Sequence, residues 1–225
     1  MKAKSILAAL ATMLTLGAPA TLYQYQFNNV NAPIPDGNLT GWSAFINLAG
    51  QGMAPQIAGV SVKLDITGGY NGDIYAYLSF ANVLVPLLNR VGVGSSDAFG
   101  SGDSGFNVAL SSTGSDVHWA SAGGGQLIGN YQVDGRTIGP SSPAGDFDSA
   151  SRANFGAYQN LNPNGVWTLF IADVSGGGGQ SVLNSWELDI TAVPEPVHAA
   201  LGCFAGMFLL VSICRSERVR KLFTA

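Results

Sequence analysis

Thiols and basic side chains are scarce in the middle of this 225-residue chain. Both cysteines, Cys203 and Cys214, lie in an apolar run near the C-terminus, so residues 21–192 have no disulfide, thiolate nucleophile or cysteine-bound metal. The same segment holds twelve acidic residues and four basic ones, which gives it a formal charge of −8. The basic residues are Lys63, Arg90, Arg136 and Arg152. Nucleic acids and anionic lipids both require basic patches, so this balance argues against either as a ligand.

Histidine is almost absent as well, because residues 21–192 contain only His118. Hydrolysis by an activated nucleophile needs a base, and Asp116 would share a face with His118 if both lay on one strand. No Gly-x-Ser-x-Gly motif or other nucleophile motif is present. We therefore expect a structural histidine, no catalytic residue and no enzyme. The alternative is a hydrolase, or an accessory to proteolysis, that uses His118.

The first twenty residues predict a signal peptide. Lys2 and Lys4 precede an apolar stretch over residues 6–16, and Ala18 and Ala20 supply small residues at the two positions that a signal peptidase reads. The apolar stretch is too short for a membrane-spanning helix. We expect cleavage after Ala20 and export of the remaining chain.

The C-terminal residues contain three features in a fixed order. The motif Val193-Pro194-Glu195-Pro196 precedes a mostly apolar run over residues 197–214, which as a single transmembrane helix would measure about 27 Å. Four basic residues then form a membrane stop that should remain cytoplasmic: Arg215, Arg218, Arg220 and Lys221. This order resembles the PEP-CTERM sorting tail of bacterial surface proteins, which implies processing by an exosortase in the inner membrane. The alternative is a permanent C-terminal anchor.

The segment between these two targeting regions predicts an all-β fold. Strands are indicated by alternation, or by β-branched and aromatic content, over residues 59–67, 73–80, 166–174 and 185–191. Thirty glycines in the chain suit tight turns between short strands. Trp167 and Trp186 fall on the apolar faces of their strands, which predicts that both are core residues. Residues 92–150 show few strand signals and are expected to be a Gly/Ser/Asp-rich insertion.

Two blocks of residues 21–192 resemble the P/Homo B domain, a β-sandwich found beside the protease domain of proprotein convertases. The matching elements are, in chain order, Tyr70-x-Gly72-Asp73, Leu87-Leu88-Asn89-Arg90, Gly165-Val166-Trp167-Thr168-Leu169, Asp173 and Trp186-Glu187-Leu188. The resemblance implies a jelly-roll-like β-sandwich over residues 21–192, followed by the sorting tail over residues 193–225. The family's association with proteolysis is not carried over, because a single domain leaves no room for a protease domain beside it.

Calcium is one candidate ligand of the domain. Asp73 and Asp173 each stand between a predicted strand and a glycine-containing turn or loop, so both could lie at one end of the sandwich and supply the oxygen ligands that Ca²⁺ prefers. The competing interpretation is that these aspartates only shape turns. Both interpretations, calcium binding and turn formation, also apply to Asp146 and Asp148 in a short acidic loop.

A glycan is the other candidate ligand. Tyr75 and Tyr77 project from the polar face of their strand and could stack on sugar rings. Further aromatic residues stand in loop-like sequence: Trp42, Trp119, Tyr131 and Tyr158. The competing interpretation is that these side chains pack in a core.

These features together predict an exported, non-enzymatic surface or extracellular-matrix protein that an exosortase-type system sorts. The protein would pass through the inner membrane and reach the cell surface or matrix. Proteins with such tails are associated with exopolysaccharide and biofilm, so the resemblance implies an extracellular polysaccharide as a partner. A glycan-binding module is the alternative function. No cofactor is expected, with calcium the one candidate.

Overall fold

The computed structural model describes residues 19–194 and five helical residues of the C-terminal apolar run: Phe204, Gly206, Phe208, Val211 and Ser212. The signal peptide predicted over residues 1–20 and the tail predicted over residues 193–225 therefore lie largely outside the described residues. Within the described part of the chain, no helix has the length and apolar character needed to cross a membrane. Residues 21–192 form one compact unit.

Ten strands build this unit. They are β1 (Thr21–Phe27), β2 (Ala32–Ile34), β3 (Trp42–Asn47), β4 (Gln56–Thr67), β5 (Ile74–Phe80), β6 (Val83–Asn89), β7 (Gly105–Asp116), β8 (Leu127–Gln132), β9 (Val166–Asp173) and β10 (Ser181–Val193). Short 3₁₀ helices cover Asn71–Asp73, Val117–Trp119, Ala144–Asp148 and Phe155–Tyr158.

The strands form two sheets that share one hydrophobic core, as expected for a β-sandwich. The six-stranded sheet has the order β1-β10-β4-β7-β8, with β2 also paired to β10. The four-stranded sheet has the order β3-β9-β5-β6. The prediction of an all-β fold is confirmed for the described residues. Strand β10 starts earlier than its alternation predicted, because its first residues pair with β2.

Alternation along the strands places one face of each sheet in the core. In β4, Val62, Leu64 and Ile66 are buried while Lys63 and Thr67 face solvent. Each buried methyl-rich side chain of this size contributes about 1.5–3 kcal/mol relative to exposure. The pattern of the sequence is therefore the physical cause of the layer arrangement.

Both tryptophans that were predicted as core residues are buried. Trp167 stacks on Phe80 with ring centroids 4.0 Å apart, and its indole N–H donates to the carbonyl of Pro163 over 3.0 Å. Trp186 lies in the opposite sheet and stacks on Phe27 at 4.6 Å. Each indole fills the core from a different sheet.

Residues 92–150, which show few strand signals in the sequence, contribute two strands to the six-stranded sheet. Strand β7 lies between β4 and β8 in the six-stranded sheet, and β8 pairs with it in parallel. Phe106, Val108 and Leu110 alternate along β7 and are buried, opposite the core residues of β4. The alternating stretch of β7 is short, and it is flanked on both sides by glycine and serine, which are typical of loops. Two of the aromatic residues assigned to loops, Trp42 and Tyr131, also lie on strands.

Candidate functional site

Strand pairing brings the two predicted calcium ligands together at one end of the sandwich. Asp173 is the last residue of β9 and lies opposite Ile74, the first residue of β5, so Asp73 is adjacent to it. The amide of Val174 donates to the backbone carbonyl of Asp73 over 2.8 Å. This contact fixes the two acidic residues beside each other.

A third carboxylate, which the sequence did not single out, joins this end. The side chain of Asp36 accepts from the amide of Gly177 over 3.2 and 3.3 Å. The amide of Asn38 donates to the backbone carbonyl of Asp173 over 2.8 Å, so the turn after β2 lies directly against the end of β9. We call Asp36, Asp73 and Asp173 the acidic end cluster. Asp36 is distant in sequence from the other two, and only the fold brings it near them.

Asp173 is completely buried, and its carboxylate is poorly satisfied. One oxygen, Oδ1, accepts a long hydrogen bond of 3.4 Å from the amide of Ser175. The other, Oδ2, has no hydrogen-bond partner within the described part of the protein. Burial, together with the negative charges of Asp73 and Asp36, raises the pKa of Asp173 to about 6, although the nearby backbone amides of Ser175 and Gly37 oppose the rise. An unpartnered buried carboxylate oxygen is unfavourable and rare in folded proteins.

Asp73 is less isolated than Asp173. It is also buried, which raises its pKa, and the neighbouring Arg90 opposes that rise. The Arg90 side chain donates to backbone carbonyls, including that of Gly72 over 3.0 Å. Among the described residues, no ion pair within 4 Å joins Arg90 to Asp73. The negative charge of the acidic end cluster is therefore only partly compensated.

A cleft of about 330 Å³ opens beside the acidic end cluster. Asp73 lines it, together with the aromatic rings of Tyr70 and Phe99 and the glycine loop over residues 175–178. Phe99 is 84% exposed, and Gly178 packs its backbone against the ring of Tyr70. Any side chain at Gly178 would collide with that ring, so glycine permits the close approach.

The side chains of the described residues do not provide a complete metal site. No group of three or more histidine, cysteine or acidic side chains in residues 19–194 is gathered closely enough to hold an ion alone. A metal at the acidic end cluster would therefore take part of its coordination shell from backbone carbonyls or water, as calcium sites in proteins commonly do.

His118 lies in a separate, buried polar network. Its ring is completely buried, with Nδ1 2.6 Å from the carboxylate of Asp134 and Nε2 2.8 Å from the carbonyl oxygen of Val93. The ring also stacks on Phe147 and meets Trp119 edge to face. Both nitrogens face oxygen acceptors, so neither offers a free lone pair to a substrate.

Two arginines complete this network. Arg136 donates to Asp134 over 3.1 Å and to Asp116 over 3.2 Å, and Arg152 contacts the other oxygen of Asp116 over 3.1 Å. Arg136 is almost fully buried and lies over the Trp119 ring at 5.3 Å. Arg136 and Arg152 are therefore both paired with aspartates of this network, Arg136 in the interior and Arg152 nearer the surface.

Asp116 and His118 do not lie on one strand, which is the arrangement that would have placed them on a shared face. Asp116 ends β7, and His118 follows in a 3₁₀ turn, so the two do not share a strand face. Asp116 caps that turn by accepting from the backbone amide of His118 over 3.1 Å. The carboxylate that contacts the ring is Asp134, sixteen residues away, which no local pattern identified.

The predicted sugar-stacking tyrosines lie on the outer face of the four-stranded sheet. Tyr77 stacks on Phe170 with centroids 4.8 Å apart, and Tyr75 meets both rings at 5.9 and 6.4 Å. All three are partly exposed. Phe45, on the neighbouring strand, is 75% exposed on the same face. We call Phe45, Tyr75, Tyr77 and Phe170 the aromatic face.

The remaining aromatic and acidic candidates lie in different environments. Tyr158 is completely buried, and its hydroxyl donates to the carbonyl of Leu78 over 2.7 Å. Asp148 accepts from the amide of Ser95 over 3.1 Å, whereas Asp146 is exposed. Trp119 is half exposed over the His118 network.

No protein-family model matches this chain, and no curated protein matches it. Two solved structures are similar to it in part: the serine protease (ASP) of Aeromonas sobria in complex with the chaperone ORF2, and the serine protease of Aeromonas sobria. The identities are 15% and 14%, each TM-score is 0.45, and the matches cover 83% and 82% of this chain. The chain spans only 29% of the length of each protein chain that it matches. This similarity is too low to support a statement about function.

Proposed function

We propose that residues 21–192 are a jelly-roll-like, P-domain-like β-sandwich that acts as a non-enzymatic surface or extracellular-matrix protein. In this proposal a signal peptide directs export, and an exosortase-type enzyme removes the C-terminal tail at the inner membrane. The protein then resides at the cell surface or in the matrix, in association with exopolysaccharide.

One observation carries the sorting part of the proposal. Strand β1 begins at Thr21, directly after the predicted signal cleavage, and β10 ends at Val193, where the Pro-Glu-Pro motif starts. Thr21 and Ala192 are paired residues of adjacent strands. Cleavage at both predicted positions would leave every described strand intact and place the two new chain ends side by side. This arrangement is expected of a folded domain from which proteolytic processing removes a segment at each end.

The environment of His118 supports a non-catalytic role over the hydrolase alternative. The ring is buried, both nitrogens are engaged, and the surrounding carboxylates are paired with arginines. A general base must reach the proton it removes, which this buried ring does not.

Replacement of Pro194, Glu195 and Pro196 by alanine tests the sorting proposal. In the native host, the variant should accumulate in the membrane fraction as a longer species, whereas the parent is released or surface-bound. A matched control is Glu217→Ala, which removes one carboxylate beyond the apolar run and should be processed like the parent. Normal processing of the triple variant would refute the role of the motif.

Glycan binding is a second candidate function, favoured by the aromatic face. Stacked and partly exposed rings on an open sheet present the flat apolar surface that sugar rings pack against. A glycan array or polysaccharide pull-down with residues 21–192 tests it, because this unit contains the whole core. Phe45→Ala should abolish binding without unfolding. Leu22→Ala removes a similarly exposed side chain from the other sheet and should leave binding unchanged. Equal binding by parent and Phe45→Ala would reject the aromatic face as the site.

A further inference from the structure

The acidic end cluster contains a carboxylate oxygen that the protein itself does not satisfy. Asp173 is completely buried, and its Oδ2 has no hydrogen-bond partner among the described residues. A buried polar atom without a partner is unusual in a folded protein, and a bound ion or ordered water is one way in which such an atom is satisfied. The orphan oxygen is thus an observation separate from the clustering of charge.

The surroundings favour a cation as that compensation. Backbone hydrogen bonds from Val174 to Asp73 and from Asn38 to Asp173 hold Asp73 and the turn that carries Asp36 beside Asp173, so two further negative charges lie near it. Both charges add to the rise in the pKa of Asp173 that its burial causes. Arg90, whose charge acts on Asp73, directs its guanidinium to backbone carbonyls. A neutral ligand would leave this repulsion in place, whereas a divalent cation would relieve it.

We propose that the acidic end cluster binds a Ca²⁺ ion, with Asp173 and Asp73 as carboxylate ligands. Asp36 adds a third negative charge beside the ion. Backbone carbonyls of the glycine loop over residues 175–178 and water supply the remaining oxygens. The Asp36 carboxylate also accepts a hydrogen bond from the amide of Gly177 in that loop. The ion would therefore contact three segments: the turn after β2, the residue before β5 and the loop after β9. The site does not depend on export, sorting or glycan binding.

The chemistry of the donors selects calcium over other metals. Only hard oxygen donors are present, since the domain has no cysteine and its single histidine is engaged elsewhere. Mg²⁺ demands near-ideal octahedral geometry and keeps its water, whereas Ca²⁺ accepts irregular shells that mix carboxylates, carbonyls and water. Three carboxylates beside the backbone carbonyls of a glycine loop therefore suit Ca²⁺ better than Mg²⁺.

Thermal unfolding of the mature protein, followed by tryptophan fluorescence, tests the proposal. After treatment with chelator, addition of millimolar Ca²⁺ should raise the Tm, and Mg²⁺ at the same concentration should not. Asp173→Asn and Asp73→Asn should each abolish the rise. Asp36→Asn should weaken the apparent affinity by roughly tenfold or more, as expected when a supporting group is lost. Asp146→Asn, an exposed aspartate outside the cluster, is the matched control and should respond like the parent.

Terbium luminescence provides a second readout that does not depend on stability. Tyr70 lines the same cleft as Asp73, so Tb³⁺ in the site should be sensitised by excitation of tyrosine and displaced by Ca²⁺. Loss of that signal in Asp173→Asn, which retains the fold, is expected. An absent Ca²⁺ response in the parent, an equal response to Mg²⁺, or a full response in Asp173→Asn would each overturn the proposal.

Discussion

Asp173→Asn should stabilise the metal-free protein at neutral pH, although it removes a charged residue from the core. Burial and two neighbouring carboxylates raise the pKa of Asp173 from 3.8 to about 6. Each pKa unit corresponds to about 1.36 kcal/mol, so the charged form of Asp173 costs the folded state roughly 3 kcal/mol at pH 7.5. Asparagine has the same shape without the charge, and its amide can donate to the neighbouring carboxylates.

The sign of the pH dependence follows from the same shift. The folded state holds its proton more tightly than the unfolded state, so stability falls as the pH rises from about 4 to about 6. Below that window Asp173 is protonated in both states, and at pH 4, near its lower edge, the variant should nearly match the parent. Above it the variant should be more stable by up to about 3 kcal/mol, which for a domain of this size corresponds to a Tm difference of about 2–4 °C for each kcal/mol.

Urea denaturation in the presence of chelator, at pH 4 and at pH 7.5, measures this difference. The buried Trp167 and Trp186 report on unfolding through their fluorescence. Asp146→Asn serves as the control for loss of a carboxylate at an exposed position. A variant that is equally displaced from the parent at both pH values, or less stable at pH 7.5, would refute the electrostatic reasoning.

The other predictions concern the core and the buried network. Trp167→Ala should lower the free energy of unfolding by about 3–5 kcal/mol, because it removes a fully buried indole stacked on Phe80. Chemical denaturation measures this loss, and an unchanged midpoint would contradict the observed packing. His118→Ala should destabilise by about 3–5 kcal/mol, since Asp134 loses its short partner inside the fold, and the Asp134→Asn, His118→Ala double variant should recover part of that loss. A stable His118→Ala protein would show that the network contributes little.

The strands that were predicted from the sequence are those whose side chains alternate without interruption. Strands β4 and β5 have one buried face and one solvated face, so the period of two is visible directly. Strand β1 carries its core residues as partly buried tyrosines beside glutamines at the edge of the sheet, which weakens the hydrophobic contrast. In β7 the alternation is confined to Phe106, Val108 and Leu110, and the surrounding serines and glycines conceal it.

The candidate site was predictable only in part, because its members meet through tertiary pairing. Asp73 and Asp173 could be chosen since each marks the boundary between a strand and a turn or loop, and adjacent antiparallel strands bring such boundaries together. Asp36 and Asp134 follow no local motif, and their partners Gly177 and His118 are distant from them in sequence. The orphan oxygen of Asp173 is a property of burial, which a sequence pattern does not contain.

The intact mass of the exported protein is the most direct test of the proposed sorting and surface role. The predicted mature chain begins at Thr21 and ends close to Pro194–Pro196, so that the described strands remain and residues 197–225 are lost. Mass spectrometry of protein recovered from the native cell surface or medium should give that mass, with any attached group added to it. A mass that retains residues 197–225 would contradict tail removal and leave a permanently anchored protein.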